Sequence, residues 1–117
     1  MRYFANMRNG KPHLPPLRAL KALASPVRLA ILEDLKAPTK NYPPQVDGDP
    51  VADGICADFI RERLGVAAAT ASRHLSVLAE AGLLVPTRKR GWTFYRRDED
   101  AIRRFTEELS RHLQRQP

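Results

Sequence analysis

The strongest constraint on this chain is a change of hydrophobic period across one glycine, Gly82. Before it, from about Ala67 to Ala81, Ala71, Leu75 and Leu78 fall on one narrow face at 100° per residue, the pattern of an amphipathic helix. After it, Leu83-Leu84-Val85 and Trp92-Thr93-Phe94-Tyr95 are β-favouring runs separated by Arg88-Lys89-Arg90-Gly91. Those runs read as a hairpin with a cationic tip. Gly82 stands where a C-terminal glycine ends a helix. Upstream, Cys56, Phe59, Ile60 and Leu64 carry a shorter helical pattern that Gly65 interrupts.

Helix, glycine turn, helix and basic hairpin, in that order, make a winged helix-turn-helix: a mainly α fold with a small β-hairpin. With 117 residues and 13.2 kDa there is room for one core. Residues 1–13 lack periodicity and read as an N-terminal arm; 14–115 read as the domain. A first helix is predicted from Pro15-Pro16, carrying Leu17, Leu20, Leu23 and Ala24. Ser25-Pro26 is a cap followed by proline at the first helical position, and opens a second helix to about Lys36. Its stripe is Val27, Ile31 and Leu35, widened by Leu29 and Leu32. Between about 37 and 54 the pattern gives way to Pro38, Asn41, Pro43, Pro44, Gly48, Asp49 and Pro50, an inserted loop unusually long for so small a domain. It is either a solvated insertion or a lid in which Tyr42 and Gln45 line a ligand pocket or touch a partner subunit. A last helix starts near Asp98, with acids at its head and Arg111 and Arg115 at its tail, as the helix dipole favours.

Charge is unevenly placed. The chain carries a net +7. Between Arg61 and Arg97 there are eight Lys or Arg and two acids, whereas 41–60 holds four acids and no base. A cationic helix-turn-helix segment points to a polyanion, duplex DNA above all. On the helix after Gly65, the face opposite Leu75 is short-chained apart from Arg73, so the backbone can approach a major-groove floor. The predicted contacts are Ala68, Ala69, Thr70, Ser72, Arg73 and Ser76 from that helix, and Arg88, Lys89 and Arg90 from the wing. Arg73 suits a guanine edge or a phosphate, Thr70 and Ser72 suit phosphates, and the hairpin tip suits the backbone or minor groove. Trp92, Phe94 and Tyr95 read as hairpin packing, and His74 as a packed histidine.

These residues resemble the ArsR/SmtB family of bacterial transcriptional regulators from about Ala19 to Phe105. The resemblance rests on Ala24-Ser25-Pro26-Val27-Arg28-Leu29-Ala30-Ile31-Leu32, on Leu64-Gly65-Val66 with Thr70-Ala71-Ser72-Arg73-His74-Leu75, on Leu78-Ala79-Glu80-Ala81-Gly82-Leu83-Leu84, and on Gly91-Trp92-Thr93-Phe94-Tyr95. It implies a homodimeric repressor that binds an inverted repeat near a promoter and leaves it when an inducer binds. The family's polar cap and glutamine at the head of the recognition helix are here Ala67 and Ala68, so base readout leans on Arg73 and on DNA shape. The family's Cys-x-Cys metal pair is here Cys56 and Asp58, and its Asp-x-His pair is Glu99-x-Ala101. No metal and no cofactor are therefore expected.

Ile102, Phe105, Leu109 and Leu113 form a tight stripe on the last helix. It either covers the monomer's own core or, with Leu17 and Leu20, forms a two-fold interface as in the family. Cys56 is either a buried small hydrophobe or a thiol sensor whose pKa a helix dipole lowers, so that a redox or small-molecule inducer acts on it. A single cysteine, no 18-residue apolar run and no apolar leader suggest a cytoplasmic protein off the membrane. No phosphate loop, nucleophile–histidine–acid set or carboxylate pair suggests an enzyme. The rival reading is a winged-helix module that binds RNA or a protein without recognising an operator.

Overall fold

The computed structural model describes residues 16–117 and the backbone of Met7–Arg8 (β1) and Lys11–Pro12 (β2), which pair antiparallel; the rest of the expected arm lies outside the described residues. Helix α1, Leu17–Leu23, turns Ala19 and Ala22 inward, and those small residues let it lie close against its neighbours. Ser25 is extended and its hydroxyl accepts the Arg28 N–H at 3.3 Å, opening α2, Pro26–Asp34, with proline in the first turn. Ile31, Leu32 and Leu35 are buried. Leu29 departs from expectation: it is 45% exposed, because one helix packed on one side has an apolar arc too narrow for it.

The 37–54 insert is ordered and carries a short helix, α3, Pro38–Asn41. Next comes a strand the periodicity does not reveal, β3, Ile55–Cys56, then α4, Ala57–Leu64, and α5, Ala68–Glu80. Cys56, expected inside a helix, is instead the strand residue preceding α4. No side chain caps α5 at Ala67, as its alanine implies. That omission costs roughly 1 kcal/mol. It is small beside the burial of Ala71, Leu75 and Leu78, where each leucine contributes about 1.5–3 kcal/mol. Past Gly82, the Leu83 N–H returns to the Leu78 carbonyl and the Gly82 N–H to that of Ala79, closing the helix.

The wing is β4, Leu84–Lys89, and β5, Trp92–Arg97, paired from Leu84↔Arg97 to Lys89↔Trp92. The loop is thus only Arg90-Gly91, both at positive φ (51° and 81°), the arrangement of a tight two-residue hairpin turn. β3 pairs on the other side of β5, through Ile55↔Tyr95 and Cys56↔Phe94, giving the order β3-β5-β4. Arg97 fastens this sheet to α2 by donating to the Leu32 carbonyl at 3.0 Å, while its other nitrogens grip Glu99. Asp98 accepts the Ala101 N–H and starts α6, Glu99–Leu113. Among the described residues no helix is long and apolar enough to cross a membrane.

The insert reaches the sheet at Gly54, where an added Cβ would lie 2.2 Å from the Tyr95 carbonyl oxygen. Backbone cannot yield there. Gly54→Ala is expected to lower the thermal midpoint far more than Ala57→Gly, a helix substitution of about 1 kcal/mol; equal losses in circular-dichroism melts would contradict this docking.

Candidate nucleic-acid interface

Burial of Ala71, Leu75 and Leu78 fixes the rotation of α5 and turns its other side outward. Ala68, Ala69, Thr70, Ser72, Arg73 and Ser76 are all exposed there. Arg73 has no ion-pair partner among the described residues, and its charge helps to hold His74 below the usual imidazole range. Burial is the larger cause of that shift, and the Arg28 guanidinium adds to it. His74 is therefore neutral at pH 7, and its Nδ1 faces Arg28 at 3.1 Å. Arg28 also donates to the Ala22 and Lys21 carbonyls, so this cation locks the α1–α2 corner to α5.

On the wing, Arg88, Lys89 and Arg90 are exposed, but their surroundings differ. Arg88 has no ion-pair partner among the described residues. Lys89 Nζ donates to Asp53 Oδ2 at 3.0 Å, and Arg90 lies 3.7 Å from Asp47. The acids of the insert thus face the wing tip. Both charge runs are visible in the sequence, yet nothing local shows that they meet; their opposite signs are the only hint. Asp53 is itself built in: its carboxylate also accepts the Asp49 N–H at 2.8 Å, while Asp49 accepts from Val51 and Ala52.

The insert is not a loose loop. Tyr42 is buried, with the Arg63 guanidinium 5.6 Å from its ring centre. Arg63 in turn contacts Asp34 at 2.9 Å and donates to the Asn41 carbonyl. Burial, then the Asp34 charge, pushes the Tyr42 phenol up, so it stays protonated. Gln45 accepts the Cys56 N–H and donates to the Gly54 carbonyl, tying the insert to β3. The two residues singled out in the loop, Tyr42 and Gln45, are thus anchors for it, and Gln45 also borders a cleft.

Cys56 is buried, as the small-hydrophobe reading expects. Burial pushes its thiol up, and Asp58 and Glu62 add to this; the Phe59 and Asp58 N–H groups at the head of α4 work the other way but lose. The lowered pKa on which a reactive thiol depends is absent. On α6, Phe105 belongs to the monomer core, Ile102 and Leu109 are half-buried beside it, and Leu113 is 73% exposed. On α1, Leu17 is 40% exposed and Leu20 half-buried.

A glycine turn between α4 and α5, an outward α5 face and a paired-strand wing define a winged helix-turn-helix domain. Its relatives agree. The chain is 34% identical over 100 residues to the uncharacterized HTH-type transcriptional regulator YbzH of Bacillus subtilis (strain 168), covering 86% of this chain and 100% of that one. Among solved structures, it resembles the homodimeric winged helix-turn-helix DNA-binding domain (fragment 1-100) of Mb0332 from Mycobacterium bovis, described as a possible ArsR-family transcriptional regulator. That similarity has a TM-score of 0.56 and 27% identity over 86% of this chain and 83% of the other. NolR from Sinorhizobium fredii shares the fold, with a TM-score of 0.54 and 22% identity over 83% and 82% of the two chains. No protein-family model matches. The chain belongs to the HTH-type transcriptional regulators and has their winged helix-turn-helix fold.

Hydrogen bonds from Asp49 and Lys89 hold the Asp53 carboxyl below its ordinary range. A lowered folded-state pKa contributes stability that is complete above the unfolded value, about 3.9, and is lost as pH falls through the folded one. Asp53→Asn is therefore expected to melt below the parent at pH 6, with the gap closing below about pH 4. A gap that stays constant across thermal melts from pH 6 to pH 3 would show that Asp53 titrates normally.

Proposed function

We propose that this chain is a homodimeric repressor that binds an inverted-repeat operator in duplex DNA, with α5 in the major groove and the wing on the adjacent backbone. It acts in the cytoplasm and releases DNA on binding a small-molecule inducer. The observation that carries the reading is the outward face of α5: a run of Ala, Thr and Ser side chains from which projects one cation, Arg73, without an ion-pair partner among the described residues. Small residues bring the helix axis close to base edges, and a long guanidinium reaches them from there. Arg88, also without an ion-pair partner among the described residues, offers a second cation for phosphate. Lys89 and Arg90 remain exposed enough to exchange their carboxylate partners for phosphates, with Lys89 giving up the closer bond.

The dimer reading rests on Leu113 and Leu17, which the monomer leaves exposed beside the half-buried Ile102, Leu109 and Leu20. With Phe105 already in the core, a partner's contacts would fall on the outer edge of α6 and on α1. Two-fold pairing there would set the two α5 helices roughly 34–36 Å apart, one turn of DNA.

Selection from a random duplex library, followed by titration at several salt concentrations, tests the DNA reading. Arg73→Ala is expected to cost about 1–3 kcal/mol on the selected site and to flatten preference between sequences. Arg88→Ala should weaken all duplexes alike and reduce the salt slope by about 1. Equal binding to duplex and to unrelated RNA hairpins, or no duplex binding, would overturn it in favour of an RNA or protein partner. For the interface, Leu17→Glu with Leu113→Glu, both exposed in the monomer, should halve the mass seen by sedimentation without lowering helix content; an unchanged mass would place the contact elsewhere.

A further inference from the structure

The insert, α4 and β5 enclose a cleft of about 250 Å³ that the DNA reading does not use. Its floor is Cys56 and Phe94, both buried; Phe59 and Trp92 form its walls. Asp47, Asp58 and Glu62 also line it. In a chain with 20 basic and 13 acidic residues, a lining with three carboxylates and no lysine or arginine runs against the overall charge.

We propose that this cleft is a binding site for a small organic cation with an apolar body. Three features point there. First, the carboxylates are loosely engaged: Arg61 lies 3.9 Å from Asp58 and 3.8 Å from Glu62, and Arg90 lies 3.7 Å from Asp47. These distances exceed hydrogen-bonding range and the side chains are partly exposed, so their charge remains available to an incoming cation. Second, the negative field reaches the floor, where Asp58 and Glu62 help to push the Cys56 thiol up. Third, the mouth exposes apolar surface: Val46 is 101% and Trp92 46% exposed, and a bound molecule would cover both.

The chemistry selects the ligand class. Aromatic faces attract a cation through their quadrupoles, and a quaternary or tertiary ammonium suits such walls better than a strongly hydrated ion. An anion meets three carboxylates. Among the described residues no three His, Cys, Asp or Glu side chains converge to hold a metal ion. The volume lies below the roughly 300–1,000 Å³ usual for drug-sized ligands, so the body is small. Occupancy would also touch the wing, because Trp92 and Phe94 belong to β5 and Asp47 faces Arg90. That effector role rests on the DNA-binding reading, whereas binding itself does not, and the test uses the free protein.

Trp92 is the sole tryptophan, so its emission reports the cleft directly. Benzyltrimethylammonium, the uncharged 2,2-dimethyl-1-phenylpropanol of similar shape, and benzenesulfonate are each titrated into the full chain. The cation is expected to give a saturable change, with the neutral compound about tenfold weaker and the anion weaker still. The double variant Asp58→Asn, Glu62→Gln should bind the cation about tenfold less tightly while binding the neutral compound as before; Asp47→Asn gives a second variant, from the insert. A neutral or anionic compound that equals the cation, variants that bind the cation like the parent with unchanged melting, or no saturable response would overturn the proposal.

Discussion

Everything that α5 presents to the outside depends on what it buries. Ala71, Leu75 and Leu78 sit within the core with Ile31 and Ile60. A helix has no other means of fixing its own rotation than such a stripe, because its backbone hydrogen bonds are indifferent to direction about the axis. A turn of 100° would expose Leu75 and bury Ser76 or His74, losing about 1.5–3 kcal/mol for the leucine and adding the cost of an unpartnered polar group. The core therefore aims Arg73 without touching it. The missing cap at Ala67 is tolerable for the same reason, since it weakens the first turn and leaves the stripe intact.

The second determinant is electrostatic. A hairpin with three adjacent cations repels itself, and its short turn holds Arg90 at positive φ, a backbone state unusual for a side chain of that size. The insert answers the first difficulty from outside the hairpin. Asp53 and Asp47 bring opposite charge to the tip, and Gly54 lets β3 come in to pair along the edge of β5 not taken by β4. Such a wing is held in shape before it meets a polyanion, so less ordering remains for the encounter. Arg88 is left outside this arrangement, which separates the cation available to a partner from those that also shape the wing.

What could be read from the chain alone follows from how local each signal is. The long helices α2, α5 and α6 and the hairpin announce themselves within ten to fifteen residues, through period, caps and β-favouring runs. The third strand does not: Ile55 and Cys56 pair with Tyr95 and Phe94 some forty residues away, and two residues are too few to show a period. For the same reason the strands run through Arg88 and Lys89, which local chemistry assigns to the tip. Cys56 illustrates a different limit. The helix-head N–H groups that lower a thiol are present, but the burial that outweighs them is a property of the assembled core. The candidate contacts on α5 were legible because exposure there is the complement of a periodic stripe. The pairing of Lys89 with Asp53 was not, since it joins segments 36 positions apart.

The insert unites these threads. A solvated loop of this length would add conformational entropy to the unfolded chain and return nothing on folding. This one is fastened at several points along its length: Tyr42 under Arg63, Gln45 on Cys56, Gly48 beneath the Phe94 ring, and Asp53 on Lys89. Each fastening lands on α4 or the sheet, the two elements that flank α5. The insert therefore acts as a strut between the helix-turn-helix and its wing, and the acidic cleft lies along that strut. A molecule bound there would contact the insert, the head of α4 and β5 together, so it could favour one relative placement of wing and helix over another. Differential affinity for such placements is what an effector must supply; contacts shared among three elements are a geometry from which it would arise.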